Sequence, residues 1–194
     1  MRDPRPWTYA ALFGTLWGAA ELSLGTVLSL SKVPLYGLLM TLIGLLCLVT
    51  LRRLQPRAGV CALAGAVAVF LKMFTIGGLY PGPLLGIAGE ALLVELAFTL
   101  ALSRQPGAIL GGALAMVAPP LEMLATMRLL VGSEATAGYV EAARALLGLV
   151  GLGGMSALSV FSALLAGAAV AGAVAGHLAW RVAGRVERRL GGNP

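Results

Sequence analysis

The sequence predicts an all-α integral membrane protein, a bundle of six transmembrane helices with both termini in the cytoplasm. Three observations carry that expectation. Of its 194 residues, 59% are hydrophobic and 11% are charged, where soluble domains carry about 25% charged residues. Six apolar runs of roughly bilayer-spanning length follow one another without room for a separate soluble domain. The basic residues between those runs collect on alternate connections.

The spans are expected at about 9–30, 35–51, 58–76, 84–102, 107–131 and 155–180, each close to the length that a hydrocarbon layer of about 30 Å requires. Arg2 and Arg5 precede the first. Arg52, Arg53 and Arg57 fall between the second and third, Arg104 follows the fourth, and Arg181, Arg185, Arg188 and Arg189 follow the sixth. All of these share one side, whereas the other side has Lys32, Arg128, Arg144 and the uncharged turn Gly77–Pro83. The positive-inside rule puts the Arg-rich side in the cytoplasm, and Trp7 and Trp180 fall at that boundary, where an aromatic belt is expected. The same rule accounts for the net charge of +6, so no nucleic-acid partner is expected. Pro119-Pro120 interrupts the fifth run and is expected to kink it. Apolar positions at helical spacing predict an interfacial helix over about 137–150, lying on the outer mouth of the bundle.

Glu21, Lys72, Glu90, Glu95 and Glu122 lie inside these runs. A charge at the centre of a membrane helix costs roughly 2.5–3.5 kcal/mol on insertion scales, so such residues pair, line a cavity or bind something. At about 1.5 Å per residue, Glu21 and Glu122 lie about 13 Å below the outer ends of their spans, Glu90 about 9 Å and Lys72 about 6 Å. Four helices thus contribute to the outer half of the membrane, and a polar cavity open to the outside is the expectation. The competing reading is a salt-bridge network that only locks the bundle. Glu95 stands about 140° round the helix from Glu90 and cannot share its face. Trp17, one turn before Glu21, faces the same side and would wall a planar ligand or fill a core. Tyr80, near an outer end, is either a wall or a belt residue.

Catalytic chemistry finds little support. His177 is the one histidine and is remote from the acidic cluster. No nucleophile–base pair, Cys-x-x-Cys, H-E-x-x-H or Walker motif occurs, so no catalytic residue, metal ligand set or cofactor is expected. Cys47 and Cys61 are read as buried, inert thiols. Small residues recur every fourth position at Ala10, Gly14 and Gly18, and again at Ala163, Gly167, Ala171 and Ala175. Such faces pack helices closely, inside this bundle or against another membrane subunit.

The segments Gly14-Thr15-Leu16-Trp17-Gly18-Ala19-Ala20-Glu21 with Lys32–Gly37, and Leu71-Lys72 through Pro81-Gly82-Pro83 to Glu90, together with the six-span architecture, resemble an uncharacterised branch of the substrate-binding (S) components of energy-coupling-factor (ECF) transporters. The resemblance implies a bacterial or archaeal cell membrane, capture of a vitamin-like micronutrient outside, and delivery by toppling against a transmembrane T component driven by two ATPase subunits. It implies docking of the T component on a small-residue face of the first helix, for which Ala10, Gly14 and Gly18 are the nearest match, with Ala11-xxx-Thr15 beside them. It also implies a substrate contact at Glu90. The expected site is Glu21, Lys72, Glu90 and Glu122 with Trp17 and Tyr80, in a non-enzymatic capture subunit whose negative lean favours a small cationic heterocycle. The alternatives are an intramembrane enzyme for a lipid or prenyl substrate, and a scaffold that binds nothing.

Overall fold

The computed structural model describes residues 5–31, 36–74, 81–101, 104–130 and 156–191, together with positions 141, 145 and 148. Every element among them is helical. Helix α1 (Arg5–Ala20) runs into a π-helical turn (Glu21–Gly25) and a short α2 (Thr26–Leu30). There follow α3 (Tyr36–Leu54), α4 (Val60–Lys72), α5 (Pro81–Leu100), α6 (Gln105–Leu130) and α7 (Ala157–Gly191). Among the described residues four stretches are long and apolar enough to cross a bilayer, namely Pro6–Leu28, Tyr36–Leu54, Pro81–Leu100 and Leu158–Arg189. The protein is therefore a multi-pass membrane protein. Leucines and phenylalanines such as Leu12, Phe70, Leu92 and Leu158 stand on its outer surface, as lipid-facing side chains do. Every expected span coincides with a helix, but several boundaries differ. Helix α4 covers 13 residues of the third expected span, and α7 continues 11 residues beyond the expected end at 180. Helix α7 therefore extends well past the length that a bilayer requires. Of the expected interfacial helix over 137–150, positions 141, 145 and 148 are helical and exposed, and the others lie outside the described residues.

Close contacts fix the directions. Along α1 and α4, Gly14 meets Ala64 and Gly18 meets Leu71, so the two run parallel. Against α1 the order reverses on α3, where Trp17 meets Gly44 and Gly25 meets Met40. Gly65 meets Ala91, and Gly107 meets Phe98, so α5 is antiparallel to both α4 and α6. Helices α1, α4 and α6 thus run one way and α3, α5 and α7 the other. The buried core between them is made of Leu45, Leu48, Val49, Cys61, Val94 and Phe98 around Trp17.

Polar contacts tie the end of the bundle where α1 starts and α7 finishes. Arg52 and Arg53, expected in a connection, belong to the last turn of α3. Arg53 Nε donates to Glu187 Oε2 at 2.8 Å and Nη1 to the Trp180 carbonyl at 2.8 Å, with the guanidinium 4.4 Å from the centre of the Trp180 ring. A methyl on Gly184 would stand 2.8 Å from Arg53 Cζ, so the absent side chain makes room for the stacked cation. Gln105 Nε2 donates to His177 Nδ1 at 2.7 Å, which links α6 to α7.

Small residues set the α6–α7 spacing, but not those the stripe predicted. Gly167 and Ala171 are exposed. The contact falls instead on Gly172 and Gly176, where a Cβ would strike the backbone of Gly112 and Ala108. The register error is one residue, which is 100° on a helix. Gly172→Ala and Gly176→Ala each force two backbones apart and are expected to lower stability by about 1–3 kcal/mol. That loss would be read as a lower unfolding midpoint in detergent. Gly167→Ala, which meets nothing within 4 Å, is expected to leave the midpoint unchanged or raise it.

Candidate functional site

At the far end of the bundle the first span departs from a regular α-helix. Glu21–Gly25 widens into a π turn, a distortion that re-aims side chains and recurs at functional sites. Side-chain donors reach two carbonyls here. Ser23 Oγ donates to the Ala19 carbonyl at 2.8 Å, and Lys72 Nζ donates to the Glu21 carbonyl at 3.2 Å. Lys72 also pairs with Glu21 Oε2 at 3.0 Å. Both residues are more than nine-tenths buried. The pair joins the end of α4 to the bulge in the first span. A Cβ on Gly25 would stand 2.9 Å from Glu21 Oε2 and 3.4 Å from Lys72 Nζ, so glycine leaves the space that the pair occupies.

One turn deeper lies the second half of the cluster. Trp17 is 0% exposed and Glu90 is 5% exposed. Both close on Gly44 of α3, where a Cβ would stand 2.5 Å from Glu90 Oε1 and 2.7 Å from Trp17 Cε2. The buried Thr41 hydroxyl lies beside the Glu90 carboxylate, whose charge also acts on that of Glu21. Two atoms here are notable. Trp17 Nε1, a donor, and Glu90 Oε1, an acceptor, are buried without a hydrogen-bond partner. An unpaired buried polar group costs about 1–3 kcal/mol; among the described residues the other such atoms are Nε and Nη1 of Arg52, at the opposite end of the bundle.

The cluster therefore joins Glu21, Lys72, Glu90 and Trp17, all expected from sequence. Glu122 lies on α6 against the first turns of α5, where Cβ atoms on Gly86 and Gly82 would stand 2.7 and 3.4 Å from its carboxylate oxygens. Gly86 is one turn before Glu90 on the same face of α5, so Glu122 continues the polar column toward the far end. Tyr80, Gly77 and Gly78 lie outside the described residues. Sequence reasoning missed Thr41 and Gly44. A hydroxyl and a glycine at i, i+3 within an apolar span were the available signal, since both face one side of a helix.

Glu95 is a separate structural fastening. Its carboxylate accepts the Gly59 N–H at 2.9 Å on Oε1 and the Cys61 N–H at 2.9 Å on Oε2, capping the first turn of α4 from α5. Arg52 Nη1 stands 3.1 Å from Oε1. Gly59 has φ +90°, a left-handed conformation that favours glycine. The small-residue stripe of α1 is likewise committed inside the chain. Ala10, Gly14 and Gly18 are buried, the two glycines against α4, while Ala11, Thr15 and Ala19 are exposed on the other side of the helix.

Fold and site together define a helical multi-pass membrane protein with an ionisable cluster buried at membrane depth. Comparison with family models, with curated proteins and with solved structures found no match to this chain. The described residues contain no group of three or more His, Cys, Asp or Glu that could hold a metal ion.

Removing one member of the buried pair leaves a bare charge. Lys72→Met is expected to destabilise by about 3–5 kcal/mol, measured as the shift in unfolding free energy in detergent. The double substitution with Glu21→Gln is expected to recover most of that loss. Equal losses in the single and double variants would contradict the pairing.

Proposed function

We propose that this chain is the membrane-embedded capture subunit of a micronutrient uptake transporter, with six spans and both termini in the cytoplasm. The observation that carries the reading is the meeting of Glu90 and Trp17 at membrane depth, each with an unpartnered polar atom, beside the Glu21–Lys72 pair. Glu21 and Lys72 satisfy each other, as bundle glue does. Glu90 Oε1 and Trp17 Nε1 do not, and intramembrane ionisable groups of that kind mark binding sites by default. The polar groups lie toward the end of the bundle away from the Arg-rich termini, which supports a site loaded from outside under the positive-inside rule.

In this reading the ligand is a small molecule with a cationic or amine-bearing heterocycle. Glu90, Thr41 and Trp17 contact it, and Glu122 lines the approach from the far end. The arrangement accords with an S component of the energy-coupling-factor type, which would deliver its cargo to a T component and two ATPases. Ala10, Gly14 and Gly18 are covered by α4, so a partner on the first helix would meet Ala11, Thr15 and Ala19 instead. Native mass spectrometry of the detergent-purified protein is expected to release a bound small molecule from the wild type and none from Glu90→Gln of equal thermal stability. The same spectrum from both would remove Glu90 from the site, and an empty wild-type spectrum would favour a scaffold.

A further inference from the structure

The charges of the buried cluster do not balance. Glu21 and Glu90 contribute two carboxylates and Lys72 one ammonium, all at least nine-tenths buried. With every group ionised the set carries one net negative charge in a low-dielectric interior, where an unbalanced ion costs several kcal/mol. Lys72 is committed to Glu21 through both its carboxylate and its carbonyl, which leaves the excess on Glu90. Among the described side chains its surroundings offer no other cation. From α1 it faces Trp17 and, through the π turn, Glu21. From α3 come Thr41 and Cys47, from α4 Lys72 through its pair, and from α6 Glu122 one turn along at Gly86. Apart from Lys72 these are neutral or acidic.

We infer that the site exchanges a proton for its ligand: Glu90 carries a proton in the ligand-free protein and yields it when a cationic N–H group binds at Oε1. The inference rests on the capture reading given above. The step balances as Glu90–COOH plus a cation giving the Glu90 carboxylate–cation pair plus one released proton. The geometry suits it. Oε1 has no donor from the chain, and the neighbouring Trp17 N–H offers a bond to an acceptor atom beside the ligand's N–H. A planar group with adjacent donor and acceptor, such as an amino-substituted nitrogen heterocycle, would satisfy both. Bound to such a site, a permanent cation loses affinity as pH falls, by about tenfold per pH unit wherever the ligand-free site is protonated.

Infrared difference spectroscopy of the full chain in lipid tests this with methylguanidinium chloride as the probe against sodium chloride at equal ionic strength. The protonated-carboxyl band is expected at neutral pH in the wild type, and is expected to be absent in Glu90→Gln. It should also disappear in Glu21→Gln, because Lys72 then balances Glu90; a merely structural Glu21 would not move it. In the wild type the probe should diminish the band, with a midpoint concentration rising about tenfold per pH unit toward acid. No band in the wild type, or a band unchanged by Glu21→Gln, overturns the inference. A band that the probe leaves intact overturns the exchange, whereas the capture reading stands or falls separately on the co-purified mass.

Discussion

An ionised group inside hydrocarbon must find a partner, and in this protein the Glu21–Lys72 pair meets that demand by joining the first span to the end of α4. The consequences spread outward. A regular helix gives way to a π turn at Glu21–Gly25, and the lysine bonds both the carboxylate and the carbonyl of the same residue. Gly25 is needed to leave room for the pair. Parallel packing of α1 on α4 through Gly14 and Gly18 brings the two charges to one depth. Small residues are therefore part of the electrostatics, since only closely spaced helices let a lysine on one reach the backbone of the other.

The same logic operates at the opposite end with a different result. Arg52, 2% exposed, and Glu95 are fastened to the first turn of α4, and Arg53 to Trp180 and Glu187 of α7. There each acid has its base or its backbone N–H donors. Arg52 keeps Nε and Nη1 without a hydrogen-bond partner, but its charge is paired with Glu95 3.1 Å away; nearer the middle of the bundle Glu90 and Trp17 each keep an unpaired atom as well. Glu90 and Trp17 leave their unpaired atoms close together at one depth between α1, α3 and α5, and the proposed site lies there.

Much of this was legible in the sequence. Hydropathy and length located the helices to within a few residues at most ends, four of them long and apolar enough to cross a bilayer, because burial in lipid demands long apolar runs. Intramembrane charges pointed to Glu21, Lys72 and Glu90, because so few ionisable residues enter such runs, and Trp17 followed from its place one turn before Glu21. What was not legible depended on rotation and on tertiary reach. The stripe on the last helix was read one residue out of register, since alanines and glycines fill all its faces and offer no amphipathic contrast. Arg52 was read as a loop charge, although its guanidinium is held by a carboxylate 43 positions away in the chain. Thr41 and Gly44 carried no signal strong enough to distinguish them from ordinary residues of an apolar helix. The π turn had none, because neither its wider hydrogen-bonding pattern nor the lysine that reaches its Glu21 carbonyl from α4 is written in the local sequence.

The central claim is that the space around Glu90 is a site loaded from the side away from the termini. It is tested most directly by thiol accessibility at Thr41→Cys, in a chain whose Cys47 and Cys61 are replaced by alanine. An impermeant methanethiosulfonate reagent, applied to sealed right-side-out and inside-out vesicles, reports which face the site opens to. The account predicts modification in right-side-out vesicles and none in inside-out ones, since a capture site must open to admit its ligand. Modification only from the face that carries the termini, or from neither face in folded protein, would contradict it.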